Sequence, residues 1–244
     1  MKKIFSVMLL AASFVCLTAC SGDDEEVRPK IPSSRNMKVG ETFKLDYETQ
    51  WESSNKHIAT VNSAGVVTAE RQGTAKIYSG QENLSCMVSV VPSYTLYNEP
   101  IMQWGISKNS IKSQKGTPVQ VTSTVLGYET GNTIAPLEMY VFENDRLCSA
   151  AVIVKLTYSE ELVDHLVQRY VPVSLDSESG AATFVEPLPS GERKTAVEVQ
   201  VYNTSYWLVM YLNSSSSTTR SASEQAELFE KMKEELSAIE IMAE

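Results

Sequence analysis

Histidine is nearly missing from this chain: His57 and His165 are the whole supply in 244 residues. Two imidazoles far apart in sequence make no clustered metal site, and neither has a nucleophile at motif spacing beside it. Cysteine is scarce as well, at Cys16, Cys20, Cys86 and Cys148. The first two fall in an apolar N-terminal stretch. The other two do not make a disulfide scaffold, and separately buried thiols are expected in preference to a single bridge between them. Basic charge is in deficit, with 21 Lys and Arg against 30 Asp and Glu and a formal net charge of −9. That argues against nucleic acid or anionic lipid headgroups as a partner, since both demand a basic face. Phosphate-loop, dinucleotide and calcium-loop patterns are absent, as is Gly-x-Ser-x-Gly, so the sequence points to no cofactor, no metal and no catalytic residue. Glu160, Glu161 and Asp164 gather carboxylates, but at the start of a helix, where acids complement the helix dipole.

What is present begins with Lys2 and Lys3, then an uncharged apolar run from Ile4 to Leu17. The run is shorter than the roughly 20 residues a spanning helix needs, and no second run of that kind follows. It closes on Leu17-Thr18-Ala19-Cys20. This resembles a bacterial lipobox, the signal-peptidase II site of lipoproteins. The resemblance implies cleavage of a signal peptide, residues 1–19, and lipidation of Cys20, hence attachment to the outer membrane through a lipid anchor. The alternative is an ordinary secretory signal with a chance cysteine. Behind Cys20 stand Asp23, Asp24, Glu25 and Glu26. Adjacent carboxylates repel, stay hydrated and make a solvated tether over residues 20–34. The run Cys-Ser-Gly-Asp-Asp-Glu-Glu also resembles the acidic surface-export signal of Bacteroidetes lipoproteins such as those of Bacteroides, which implies the extracellular side of that membrane.

From Val39 the chain becomes a series of short apolar segments, Thr42–Tyr47, His57–Val61, Gly65–Ala69, Gly73–Tyr78 and Leu84–Val91. Small and turn-forming residues separate them. Such spacing predicts a small β-sandwich. Trp51 is its natural core anchor, with Val61, Val67 and Ile77 around it. In the last segment Leu84, Cys86, Val88 and Val90 share one face. The blocks Val39-Gly40-Glu41, Trp51-Glu52-Ser53-Ser54-Asn55, Ile58-Ala59-Thr60-Val61, Gly65-Val66-Val67-Thr68-Ala69 and Gly73-Thr74-Ala75-Lys76-Ile77 resemble, in order, the bacterial Ig-like group 2 domain of intimins and invasins. The resemblance implies an Ig-like domain over residues 35–92, of a kind found as stalks and spacers.

Residues 93–213 read differently. Ser107 is placed to cap a helix at Lys108–Gln114, with Ile106 and Ile111 as a hydrophobic staple. Val119–Leu126 reads as a strand, and Leu137–Leu156 as the best hairpin in the chain, turning at Glu143-Asn144-Asp145-Arg146. Ser159 is placed to cap a helix at Glu160–Arg169, with Leu162, Val163, Leu166 and Val167 on one face and His165 at its edge. Ala182–Glu186 is a short strand, and Thr195–Tyr202 with Tyr206–Leu212 forms another hairpin. A Ser/Thr linker follows, and then a helix with Ser221 and Glu224 as capping box and Ala222, Ala226, Phe229, Met232, Leu236 and Ile239 on one side. That helix, in residues 214–244, should lie on the sheet or on a partner. The predicted architecture is therefore an all-β Ig-like sandwich followed by a two-layer α+β domain with an antiparallel sheet and a C-terminal helix. The opening Trp104-Gly105-Ile106-Ser107 through Ile111 resembles the start of BamE/OmlA-like and β-lactamase-inhibitor-like lipoprotein modules, with Ile106 in place of their Met.

The function these features imply is a non-catalytic, surface-exposed lipoprotein whose Ig-like spacer presents an α+β module to a protein or glycan. A structural envelope lipoprotein without a soluble ligand is the alternative, and a glycan-processing enzyme or an enzyme inhibitor a distant one. Tyr94, Tyr97, Trp104 and Tyr128 are the candidate binding residues. A binder should expose these rings as a cluster beside a concave face; a structural role should bury them and dock the last helix. Oligomeric state is not legible in the sequence.

Overall fold

The computed structural model describes residues 31–81, 83–176, 178–189, 194–214 and 222–237. Cys20, the acidic run Asp23–Glu26, the Ser/Thr linker beyond Ser214, Ser221 and Ile239 lie outside them.

The first domain is the expected sandwich. One sheet holds β1 (Ser34–Lys38), β7 (Leu84–Val91), β6 (Gly73–Ser79) and β3 (Glu52–Ser53) in that order; the other holds β2 (Thr42–Lys44), β5 (Val66–Ala69) and β4 (Ala59–Val61). Between the sheets lie Met37, Leu45, Trp51, Ile58, Val67, Ile77, Cys86, Val88 and Val90, all buried. Strand β7 alternates as its sequence implied: Cys86, Val88 and Val90 face in, while Met87 and Val91 are exposed. The indole of Trp51 donates to the Tyr47 carbonyl at 3.1 Å. Gly65 packs directly against this anchor at φ +75°. A Cβ there would stand 3.0 Å from the Leu45 carbonyl oxygen and about 3.5 Å from the Trp51 ring. Both the turn and the contact therefore require glycine.

Strand β1 was not expected; the sequence reads as a spacer through Ser34 and as strand-like segments only from Thr42. It pairs parallel with β7 along Ser34–Lys38, yet only Met37 of its five residues faces the core. A single inward side chain leaves no alternation to read.

The second domain is built on one antiparallel sheet of eight strands. Helix α1 (Lys108–Lys115) leads into the meander β8 (Gln120–Val121), β9 (Val125–Glu129), β10 (Leu137–Glu143) and β11 (Arg146–Lys155). A 3-10 turn at Leu156–Tyr158 and helix α2 (Ser159–Val167) then lead into β12 (Val171–Leu175), β13 (Ala182–Val185), β14 (Thr195–Val201) and β15 (Tyr206–Asn213). The unit is a helix and a four-stranded meander, used twice. The last strands of the two meanders, β11 and β15, pair antiparallel at the centre of the sheet. The turn of the first hairpin holds Asn144 and Asp145 at φ 50° and 61°. Both central residues are left-handed, as a tight hairpin needs, and Asn and Asp tolerate that conformation best.

One face of the sheet packs under α1 and α2. A cross-strand row on it runs Leu126, Tyr140, Ala150, Tyr211, Val197 and Phe184, with Ile111, Leu162 and Leu166 of the helices in the same core. Helix α3 (Ala222–Ser237) lies on the other face, where Phe229, Met232 and Leu236 pack on Val125, Leu137, Met139, Ile153, Leu208 and Met210. The C-terminal helix thus takes the sheet rather than a partner, adding a layer to the expected two.

Several local expectations change. Val119–Leu126 is two strands, not one. Thr122 Oγ1 accepts from the Thr124 and Val125 amides, at 3.3 and 3.0 Å, and turns the chain there. Ser159 does not cap α2. Its hydroxyl donates back to the Leu156 carbonyl (2.5 Å) and accepts from the Trp207 indole (2.9 Å), so tertiary packing has claimed the group that would have capped. On the same helix Val163 points to solvent and His165 is fully buried, the reverse of the stripe its sequence suggests. By contrast Ser107 does cap α1, accepting from the Ser110 amide, and Ile111 is fully buried. Cys86 and Cys148 are not joined in a disulfide.

Candidate functional site

The segment from Ser93 to Ser107 crosses the helical side of the second domain and carries three of the four candidate aromatics. It is held down by a polar seam. Tyr97 is buried, and its hydroxyl shares a 2.7 Å hydrogen bond with that of Tyr211 in β15. The Tyr170 hydroxyl donates to Glu99 at 2.6 Å. Arg169 reaches the carbonyls of Tyr94 (3.2 Å) and His165 (2.7 Å) and the Thr95 hydroxyl (2.8 Å), with its Nε 3.9 Å from Glu99. His165 accepts at Nδ1 from the Leu96 amide (3.1 Å) and stacks on the Tyr97 ring, centroids 4.3 Å apart. Its proton therefore sits on Nε2, which has no partner among the described residues.

Burial dominates the electrostatics here. It raises the Tyr97, Tyr170 and Tyr211 phenols far above their ordinary range. It also raises Glu99, partly offset by the Tyr170 hydrogen bond and the Arg169 charge. For His165, burial and then the neighbouring Arg169 lower the pKa to about 3. A base with a depressed folded pKa loses nothing above its unfolded pKa of about 6.5. Below that, the unfolded chain takes a proton that the folded chain refuses, so stability falls as pH drops toward 3. The expected loss is roughly 2 kcal/mol between pH 7 and pH 5. Glu99 and Glu198, both raised, act in the opposite sense over the acid range. Comparing urea unfolding of the native chain with His165→Gln isolates the imidazole; equal slopes against pH would overturn this assignment.

The four candidate rings do not form one surface. Tyr97 and Tyr128 are interior, Tyr128 edge-on to Tyr140 with centroids 5.9 Å apart. Trp104 is half-buried, its indole donating to Thr195 Oγ1 at 3.3 Å. Tyr94 is the most exposed of the four, at 36%. The expected exposed cluster gives way to a seam whose aromatic rings and hydroxyls close the core. Sequence reading missed Glu99, Arg169, Tyr170 and Tyr211. Spacing carries a signal for Arg169, which follows His165 by one helical turn and so shares its inward face.

A second polar group joins the domains. Gln168 Oε1, just past α2, accepts from the Ser93 amide (2.8 Å), the Ser93 hydroxyl (3.1 Å) and the Tyr94 amide (3.1 Å). The Gln168 carbonyl accepts from the Gln72 amide of the sandwich at 2.7 Å. Arg71 Nε donates to the Tyr170 carbonyl at 3.1 Å, and the buried Asn55 amide donates to the Pro187 carbonyl. The turns that make the sandwich, Asn55 before β4 and Arg71-Gln72 before β6, are thus the groups that grip the second domain. His57, at the Asn55 turn, gives its carbonyl to Arg71 at 3.3 Å.

Such a molecule is a two-domain protein, an Ig-like sandwich seated by hydrogen bonds on an α+β domain. Residues 26–80 match the family model of the bacterial Ig-like domain (group 2), so the first domain belongs to that group. The match stops short of β7, the strand that completes the first sheet. No curated protein matches the chain. Among the described residues no helix is long and apolar enough to cross a membrane, and no group of three or more His, Cys, Asp and Glu side chains is placed to hold a metal ion.

Proposed function

We propose that the protein is a non-catalytic lipoprotein displayed on the outer membrane. Cys20 carries the lipid, the carboxylates Asp23–Glu26 direct export and hold the tether in water, the Ig-like domain is the stalk, and the α+β domain meets a protein or glycan. The observation that carries this reading is the junction. A stalk bonded to its head through Asn55, Arg71 and Gln72 passes its own orientation to the head, whereas a free linker would leave the head to tumble. Multiple acyl chains on Cys20 would make the attachment effectively permanent, since each buried CH₂ adds about 0.8 kcal/mol.

A structural envelope lipoprotein is the second reading, and burial of Tyr97 and Tyr128 together with docking of α3 favours it. Fractionation and intact-cell proteolysis test the proposal. The native chain should sediment with outer membranes and be cut by protease added to whole cells, while Cys20→Ser should move to the soluble fraction. A Cys20→Ser chain that still sediments removes the anchor. A native chain protected in whole cells and cut only after lysis removes display.

A further inference from the structure

The face of the sheet beneath α3 changes character along a single cross-strand row. From β8 the row runs Gln120, Gly127, Met139, Ala151 and Met210, then Glu198, Thr183 and Ser174 at β12. Phe229, Met232 and Leu236 cover the apolar part. At the β12–β14 end lies an open groove of about 190 Å³, lined by Ser174, Leu175, Thr183, Glu198, Val199 and Gln200 among others. Glu198 is at its floor and 8% exposed. It has no hydrogen bond or ion pair among the described residues, and burial alone raises its carboxyl. A desolvated carboxylate without a partner opposes folding and is retained at a cost unless something pairs with it. Asp176 at the rim adds negative charge, but its oxygens are already bonded to the Glu178 amide (2.9 Å) and the Ser179 hydroxyl (2.6 Å).

We infer that this groove binds a primary alkylammonium group, with the ammonium against Glu198 and its alkyl stem leading out of the open groove to solvent. The chemistry matches on two counts. A single carboxylate flanked by the Thr183 hydroxyl and the Gln200 amide offers acceptors for the three N–H donors of an ammonium. A cation supplies the charge the floor lacks, and no cluster of metal-ligating side chains is present there among the described residues. The ligand is either a lysine side chain on a polypeptide or a free alkylamine. This inference rests on reading the α+β domain as an interaction module and names what it recognises.

Isothermal titration of the full chain in detergent micelles tests it, with N-acetyl-lysine N-methylamide, cadaverine and the uncharged N-acetyl-norleucine N-methylamide as probes. At least one amine should bind with millimolar affinity, the tighter of the two identifying the source. The norleucine derivative should bind at least about tenfold more weakly, which is the size expected for loss of a charge-assisted contact. Glu198→Gln preserves shape and should lose about the same factor while unfolding at an equal or higher temperature. Thr183→Val, an independent probe of the wall, should weaken the amine severalfold. Equal binding of the uncharged derivative, an unaffected Glu198→Gln chain, or no heat from either amine overturns the inference. The titration does not read membrane placement, so its failure removes the ligand class and leaves display standing, whereas protection from protease removes display and leaves the groove.

Discussion

Arg169→Ala should lower the stability of the α+β domain by about 3–5 kcal/mol, the usual result of removing one member of a buried ion pair. The guanidinium is 6% exposed and satisfies two backbone carbonyls and a hydroxyl besides facing Glu99. Truncation leaves the Tyr94 and His165 carbonyls short of a donor. It also leaves Glu99, already raised by burial, with the Tyr170 hydroxyl but no cation. The carboxyl should respond by taking a proton at a higher pH than before, so the deficit at pH 7 should shrink at pH 5. Urea unfolding at the two pH values measures both effects. A loss below about 1 kcal/mol, the range of an exposed pair, would mean that Arg169 does not clamp the Ser93–Ser107 segment.

The second large effect belongs to α3. Met232 is fully buried against the sheet, and Met232→Asp places a carboxylate among the apolar side chains of that core. Burying an unpaired charge costs more than docking one amphipathic helix returns, so the helix should leave the sheet. Undocking uncovers Leu137, Met139, Ile153, Leu208 and Met210, a contiguous apolar face on central strands. Such a face binds hydrophobic dyes and its own copies. The expected result is dye fluorescence and concentration-dependent self-association in sedimentation, with far-ultraviolet circular dichroism mostly retained. A variant that stays monomeric and dark to the dye would show that α3 is dispensable to the sheet.

These effects lie at positions the sequence left ambiguous, and the reasons are physical. The Ig-like domain was legible because its information is local. Gly65 is required by one turn, and Trp51 with Val67 and Ile77, two of the residues expected around it, is buried between the sheets. The hairpin β10–β11 was legible for the same reason, its turn residues being those that tolerate positive φ. Strand β12 was not, because it carries Pro172 and is an edge with four exposed residues, so neither periodicity nor propensity marks it. Glu198 misled in another way. Between Val197 and Val199 it reads as an outward polar residue on a half-exposed strand, yet β14 lies inside the sheet and both its faces are largely covered. For His165 and Val163, helical periodicity allowed either to turn inward, and the strap bearing Leu96 and Tyr97 decided between them.

By itself, then, the sequence determined the Ig-like domain, the hairpin β10–β11, the cap at Ser107, the apolar side of α3 and the resemblance of the N-terminus to a lipid-anchor signal. Each of these rests on residues close together in the chain, where turn geometry, capping and side-chain periodicity act. Tertiary structure alone decided that two helix-and-meander units share one sheet through β11 and β15. It also decided that candidate rings Tyr97 and Tyr128 close a core, that the sandwich turns grip the second domain, and that Glu198 has no partner among the described residues. Those outcomes depend on which distant groups meet after water has been excluded, and desolvation is a property of the assembled packing that no local stretch of sequence records.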